Sequence, residues 1–168
     1  MTGQSITFRP TQDSDVGGLL PLYNHYVRTS TATFHTEEID AATFRALLFP
    51  GYPRYDSWVI QVEGAPAGYV ILARYKPREA YDGSAEVTIY LDPALSGKGL
   101  GSAALNFVEA QDRERKFHNL LAIICGENTA SIHLFEKFGY VRCAHYHEVG
   151  RKFGRWLDIV SYEKLLEG

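Results

Sequence analysis

The sequence has few cysteines, no surplus of positive charge and no long apolar run. Its two cysteines, Cys125 and Cys143, lack the paired spacing of a disulfide framework or zinc ribbon and suit a reducing cytoplasm. The 17 Lys and Arg residues are outnumbered by 20 Asp and Glu, which argues against a nucleic-acid-binding protein. No stretch reaches the roughly 18 apolar residues of a membrane helix, and the N-terminus does not resemble a signal peptide. We therefore expect a cytoplasmic protein that binds neither nucleic acid nor membrane.

What is present indicates one globular domain over residues 1–168. The chain is 45% hydrophobic and 22% charged, which is ordinary for a soluble domain of this length. The apolar periodicity and turn signals predict strands at 5–11, 58–62, 68–75, 85–91, 120–125, 140–149 and 156–162, and helices at 13–28, 41–49, 97–116 and 128–138. This order predicts an α/β (α+β) domain with a mixed, mostly antiparallel central sheet flanked by helices.

A glycine-rich loop at residues 96–102 separates a strand from a long amphipathic helix. Gly97, Gly99 and Gly101 permit backbone torsions that a side chain would disfavour. They also let amide groups approach a ligand at a helix N-terminus, where free N–H groups and the helix dipole attract anions. Lys98 adds a positive charge. The loop therefore predicts a phosphate-binding site, and the competing interpretation is a flexible turn.

The type of phosphate ligand is open at this point. The loop does not match the G-x-x-x-x-G-K-[ST] pattern of nucleoside triphosphatases. A dinucleotide fingerprint can be aligned as Gly99-x-Gly101-x-x-Ala104, with Glu127 after the next strand as the ribose partner. In dinucleotide-binding folds, however, the loop follows the first strand directly. Here residues 92–96 intervene and three strands come earlier, which disfavours a dinucleotide-dependent oxidoreductase.

The strand that leads into this loop carries a carboxylate on a polar face. Alternation places Glu86, Thr88 and Tyr90 on one face and Val87, Ile89 and Leu91 on the other. Because a central strand in a helix-covered sheet is normally apolar on both faces, a polar face indicates a cleft. Glu86 could there accept a proton from an ammonium group. The alternative is an edge strand with one solvated face.

The chain resembles the GNAT acetyltransferases over nearly its whole length. The resemblance rests on the strand and glycine loop just described, joined by Asp92-Pro93, Asn128-x-Ala130-Ser131 and Glu136-Lys137-x-Gly139-Tyr140. Three further stretches, residues 23–31, 80–82 and 149–158, resemble the phosphinothricin and methionine sulfone/sulfoximine N-acetyltransferase branch.

The resemblance implies an acetyl-CoA-dependent N-acetyltransferase that needs no metal and forms a homodimer. It implies direct attack on acetyl-CoA by the primary amine of a small amino-acid-like acceptor, with Glu86 as general base. Acetyl-CoA would contact Ile89, Tyr90, Leu91, Gly97, Lys98, Gly99, Leu100, Gly101, Ser102 and Asn128. The acceptor would contact Lys76, Pro77, Arg78, Val87 and Thr88 beside Glu86, with Phe34 and Tyr81 as pocket walls.

Three residues depart from the family pattern. Ser96 stands where GNAT loops usually carry Arg or Gln, and Val87 replaces a polar residue beside the base. Phe135 stands where a Tyr or His could protonate the leaving thiolate. These departures leave open a different small amine, a protein N-terminus, or a catalytically weak CoA-binding sensor. His145 and His147 share a strand face, but the sequence offers no third ligand, so no metal site is predicted.

Overall fold

The computed structural model describes residues 4–166, with the side chains of residues 112 and 113 left out of the description. Each predicted helix and strand is present. The strands are β1 (Ile6–Pro10), β2 (Asp56–Val62), β3 (Ala65–Arg74), β4 (Ser84–Leu91), β5 (Asn119–Cys125), β6 (Val141–Lys152) and β7 (Arg155–Leu165). The helices are α1 (Val16–Thr29), α2 (Ala41–Leu48), α3 (Leu100–Arg115) and α4 (Thr129–Lys137).

The seven strands form one sheet in the order β1-β2-β3-β4-β5-β7-β6. All neighbouring pairs are antiparallel except β4 and β5, which are parallel, so the predicted mixed and mostly antiparallel sheet is confirmed. Alternation along β2 buries Ile60 in the core on the α3 and α4 side and Val59 in the core on the α1 and α2 side. The sheet therefore has a packed helical layer on each face.

The main differences from the predicted boundaries lie at turns. α3 begins at Leu100 and not at residue 97, because Gly97 and Gly99 have φ values of +76° and +79° that a right-handed helix cannot contain. The last hairpin is longer than predicted. β6 ends at Lys152 and β7 begins at Arg155. Both residues of the turn between them, Phe153 and Gly154, have positive φ.

β4 and β5 pair for only three residues and then separate. Their pairs are Ser84–Asn119, Ala85–Leu120 and Glu86–Leu121, although the strands continue to Leu91 and Cys125. The interpretation of β5 as buried on both faces is wrong at Ile123, which is 37% exposed because β4 has moved away. The result is an opening within the sheet. Within residues 4–166, no helix has the length and apolar character that a membrane crossing requires.

Candidate active site

A cavity of about 860 Å³ lies at the gap between β4 and β5. It is bordered by both strands, by the start of α4 and by residues 30–34, which follow α1. A second pocket of about 440 Å³ lies at the glycine loop. Tyr26 and Leu91 line both, so the two spaces adjoin. The sheet gap thus leads from the glycine loop to the side chains of β4.

Glu86 lines the cavity and is the last residue of β4 that pairs with β5. Burial raises the pKa of its carboxyl above the ordinary value, because loss of water disfavours the ionised form. Among the described residues, no hydrogen-bond donor or cation contacts this carboxylate. The predicted base therefore lies in the cleft with its proton-accepting oxygens uncommitted.

The backbone of β4 presents polar groups to the gap. Asp92 donates its N–H to the carbonyl of Ala67 on β3 at 2.9 Å, and Leu91, one residue earlier, accepts at its carbonyl from the Tyr26 hydroxyl at 2.6 Å. Since successive residues of a strand turn their backbone groups to opposite sides, Ile89 and Leu91 direct their N–H groups into the gap. Tyr90, predicted with them, turns its backbone toward β3.

The glycine loop ends in an anion-binding geometry. The N–H of Ala103 donates to the carbonyl of Gly99 at 3.0 Å, which leaves the amides of Leu100, Gly101 and Ser102 without a partner inside α3. A Cβ at position 101 would lie 2.8 Å from a Leu134 methyl group, so glycine is favoured where α3 meets α4. Gly97, Gly99, Leu100 and Gly101 line the pocket, and their contact with acetyl-CoA stays a prediction.

The other predicted cofactor contacts are distributed unevenly. Lys98 is exposed and outside the lining of both pockets. Ser102 accepts a hydrogen bond from the Lys137 ammonium at 3.4 Å. Asn128 lines the cavity and also caps α4, because its side-chain oxygen accepts from the Ser131 N–H at 3.2 Å. The Asn128 amide NH₂ remains available to a ligand.

The predicted acceptor contacts fall into two groups. Val87, Thr88 and Phe34 line the cavity with Glu86. Lys76, Pro77 and Arg78 lie exposed in the β3–β4 connection, and Tyr81 is half-buried there; all four are outside the cavity lining. The Lys76 ammonium lies 5.1 Å from the centre of the Tyr75 ring and 5.6 Å from that of Tyr81. A role for these residues in binding the acceptor stays a prediction.

Sequence reasoning missed the anchoring of residues 30–34. Lys152, only 3% exposed, donates from its ammonium to the carbonyls of Ser30 and Thr33, each at 2.7 Å. Lys152, the last residue of β6 before the turn of the hairpin, therefore holds residues 30–34 against the cavity. The signal was present, because residues 23–31 and 149–158 both carry the branch resemblance and here lie in contact.

Glu127 forms a second anchor for the same segment. It accepts from Arg155 and from the Thr31 hydroxyl, each at 2.7 Å. The hydrogen bond from Arg155, followed by that from Thr31, lowers the pKa of Glu127 to about 2. Glu127, considered above as a ribose partner, is thus already hydrogen-bonded to Thr31 and Arg155.

Phe135, at the position where the resemblance implies a proton donor, lines the cavity. Its ring packs edge-on against Tyr140 at a centroid distance of 5.0 Å. The hydroxyls of Tyr26 and Tyr90, which also line the cavity, donate to the backbone carbonyls of Leu91 and Ala32. Phe135 cannot donate a proton to the leaving thiolate, and these two tyrosine hydroxyls already donate their protons to backbone carbonyls.

Comparison with known proteins agrees with this geometry. The model of the acetyltransferase (GNAT) family matches residues 19–140, more than half of the chain. The phosphinothricin N-acetyltransferase of Streptomyces coelicolor is 34% identical over 96% of each chain. The L-methionine sulfoximine/L-methionine sulfone acetyltransferase of Pseudomonas paraeruginosa is 31% identical, over 97% of this chain and 96% of the relative.

A solved structure gives the same result for the fold and the cosubstrate. The GNAT superfamily phosphinothricin acetyltransferase of Sinorhizobium meliloti, in complex with AcCoA, aligns with a TM-score of 0.89. It is 27% identical and covers 96% of this chain and 88% of its own. The sheet gap and glycine loop here offer the unpaired amides that a pantetheine arm and a pyrophosphate need. The dinucleotide interpretation is therefore wrong, and the chain belongs to the GNAT family as an acetyl-CoA-dependent N-acetyltransferase.

Proposed function

We propose that this enzyme acetylates the primary amine of a small amino-acid-like acceptor of the phosphinothricin or methionine sulfone type, with Glu86 as general base. The observation that carries the proposal is the half-buried, unpaired Glu86 carboxylate in the cavity at the gap between β4 and β5. The relatives named for phosphinothricin and methionine sulfone support this class of acceptor.

Acetyl-CoA supplies the acetyl group as a thioester when it is bound. The amides of Leu100, Gly101 and Ser102 would hold its pyrophosphate, and Asn128 would donate to the pantetheine arm. The N–H groups of Ile89 and Leu91 point into the gap, where one of them would stabilise negative charge developing on the thioester oxygen. Apart from the Asn128 side chain, these roles require only backbone groups that the fold leaves unpaired.

Glu86 would make the acceptor nucleophilic by taking a proton from its ammonium group, directly or through a water. The raised pKa of Glu86 favours this role, because it brings the carboxyl closer to the pKa of an amine in the same cavity. The freed amine attacks the thioester directly, so no covalent intermediate with the enzyme is required. The first proton of the ammonium moves to Glu86. As the tetrahedral intermediate collapses, the C–S bond breaks, the nitrogen loses its second proton, and the CoA thiolate leaves and takes up a proton to become the thiol.

The architecture of the cavity favours a small acceptor over a protein N-terminus. Residues 30–34 line it and are fastened to the last hairpin through Lys152 and Glu127. A segment held by this many contacts resists the displacement that a bulky chain would require. Lys76 and Arg78 lie outside the cavity lining and remain the predicted partners of the acceptor's carboxylate, because a compact ammonium and a planar guanidinium both suit that group.

The test is acetyl-CoA turnover, followed by thiol release, against phosphinothricin, methionine sulfone, methionine sulfoximine, common amino acids, polyamines and peptide N-termini. We expect turnover with at least one of the first three. Glu86→Gln should lose it while binding acetyl-CoA normally, and the exposed Glu37→Gln is the matched control. Turnover confined to polyamines or peptides would contradict the acceptor class, and an active Glu86→Gln would contradict the base.

We also propose that the enzyme is a homodimer. Six large apolar side chains of the β6–β7 hairpin are more than half exposed. Val141 and Leu165 lie at its open end, and four lie toward its turn: Tyr146, Val149, Phe153 and Trp156. Exposed apolar groups gathered on one element are typical of an interaction surface. The hairpin also carries Lys152 and Arg155, so a contact between two hairpins would stabilise the anchoring of residues 30–34.

A further inference from the structure

Three metal-ligating side chains meet on the outer strands of the sheet. His145 and His147 lie on β6, two residues apart, with their rings stacked at a centroid distance of 4.1 Å and an interplanar angle of 13°. Asp158 of β7 supplies the third group, and its Oδ2 lies 2.8 Å from Nε2 of His145. One ligand atom from each residue falls within 4.8 Å of the other two. The structure thus provides the third ligand that the sequence did not reveal.

The Asp158 carboxylate is held in place independently of the histidines. Its Oδ1 accepts from the N–H of Glu148 at 2.8 Å. Glu148 has a φ of +51° at the irregularity where β6 shifts register between Tyr146 and Gly150. On the other side, Gly126 donates its N–H to the Asp158 carbonyl at 2.9 Å. The bulge therefore directs one oxygen of Asp158 to the backbone and leaves the other beside the imidazoles.

The donor set and its exposure suit a divalent transition metal. Two imidazole nitrogens and one carboxylate oxygen form a set typical of zinc, and also of nickel and copper. The side chains of His145 and Asp158 are 37% and 34% exposed, so solvent reaches the cluster and a water can complete the coordination. The bridge from His145 to Asp158 would be replaced by two bonds to the metal.

We propose that His145, His147 and Asp158 form a zinc-binding site that is separate from the acetyl-transfer site. Alternation along β7 points the Asp158 side chain away from the face on which Ile159 lines the cavity. The site lies on the hairpin that anchors residues 30–34, close in sequence to Lys152 and Arg155. Bound metal would join β6 to β7 beside the bulge and stabilise this hairpin.

A neighbouring thiol, that of Cys143, is not part of the proposed site. Cys143 precedes His145 by two residues on β6 and is a free cysteine. Its Sγ lies 3.4 Å from the Ser161 carbonyl, in position to donate to it, and it is outside the group of atoms that converge. The proposed ligand set is therefore two nitrogens and one oxygen, without sulfur.

The experiment is calorimetric titration of the full-length, untagged protein with zinc chloride in a non-chelating buffer. We expect one saturable site per chain. His147→Gln and Asp158→Asn should each weaken zinc binding by at least about tenfold, because loss of an outer-shell partner alone typically costs about 10–100-fold and these residues are the ligands themselves. His118→Gln, which removes an exposed histidine elsewhere, and Cys143→Ser should bind zinc as the parent protein does. Acetyl-CoA binding by His147→Gln shows that this variant is folded.

Cobalt provides a second readout of the ligands. Cobalt bound by nitrogen and oxygen should lack the intense thiolate charge-transfer absorption that Cys143 would produce. The proposal is overturned if the parent protein binds no zinc, if folded His147→Gln binds zinc unchanged, or if Cys143→Ser alone abolishes binding. Because acetyl transfer is measured separately, failure of this proposal leaves the proposed function untouched.

Discussion

Glu86 and Leu121 form the last parallel pair between β4 and β5, and the cavity begins beside them. The same position therefore ends the pairing and holds the carboxylate. Beyond it, the N–H groups of Ile89 and Leu91 have no strand to pair with, which a soluble protein tolerates only where water or a ligand satisfies them. The gap thus couples a proton acceptor to a row of hydrogen-bond donors.

The titration of Glu86 gives a prediction about pH. Because its pKa is raised by burial, the carboxylate form needed for catalysis is lost on acidification at a higher pH than for an ordinary glutamate. We measure kcat/KM over the pH range in which the acceptor amine does not titrate. There kcat/KM should fall on acidification, and the apparent pKa of this acid limb should lie above the usual Glu value of about 4.3. The limb should vanish in Glu86→Gln, whose residual rate should be lower by about 10²–10⁴-fold. An acid limb that persists in Glu86→Gln belongs to another group.

The same shift has a consequence for stability. A carboxyl whose pKa is raised on folding stabilises the protein below its unfolded pKa and loses that contribution as the pH rises through the folded pKa. At pH 7, where Glu86 of the unfolded chain is ionised, its raised pKa in the folded state therefore opposes folding. Glu86→Gln should raise the Tm at pH 7, and the gain should shrink toward pH 4. Thermal unfolding at several pH values measures this, and a lower Tm at pH 7 would contradict it.

The glycine loop can be tested at Gly99. Its φ of +79° disfavours any side chain by about 1–2 kcal/mol, so Gly99→Ala should be mildly destabilised and should bind acetyl-CoA more weakly. Gly64→Ala is the matched control, because Gly64 has a φ of +80° in the β2–β3 turn, outside the lining of either pocket. Calorimetry should show equal losses of stability but weaker binding only for Gly99→Ala. Equal affinities would argue against the loop as the pyrophosphate site.

Lys152 should matter for both stability and acceptor binding. Lys152→Met would leave the carbonyls of Ser30 and Thr33 without their donor, at a cost of about 1–3 kcal/mol each if they stay buried. Loosening residues 30–34 should then raise KM for the acceptor more than it lowers affinity for acetyl-CoA. Arg151→Met, at the exposed neighbouring position, is the control. Unchanged acceptor kinetics in a folded Lys152→Met would show that the anchor is only structural.

Phe135 gives a prediction about proton supply to the leaving thiolate. If the lack of a donor limits turnover, Phe135→His should raise kcat with little change in KM. Phe135→Leu, which removes the contact with Tyr140 without adding a donor, separates this effect from repacking of the cavity wall. Steady-state kinetics decide the matter, and an unchanged or lower kcat for Phe135→His would show that solvent protonates the thiolate adequately.

Dimer formation can be examined at Trp156, which is 59% exposed. Trp156→Lys should shift a dimer toward monomer in sedimentation analysis, because it places a charge in an apolar contact. Leu165→Lys, at an equally exposed position near the other end of β7, should leave the mass unchanged. A monomeric parent protein at assay concentration would contradict the homodimer.

Local patterns in the sequence determined most of the fold. The alternation in β4 and the apolar periodicity of the helices predicted elements that are all present, since both patterns reflect which face each residue buries. Gly97 and Gly99 indicated a loop with free amides, because glycine tolerates positive φ whatever surrounds it. The sequence also predicted the polar face of β4 that carries Glu86.

Tertiary structure alone decided which distant residues meet. Pairing between β4 and β5 ends at Leu121 while β5 stays paired with β7 as far as Cys125, and no local pattern at Glu86 encodes this. Lys152 reaches Ser30 across 122 residues of chain, and Asp158 joins His145 only through the register of the last hairpin. Periodicity reports the direction of a side chain from its own strand or helix. Its partners are set by packing and strand register, which involve the whole chain.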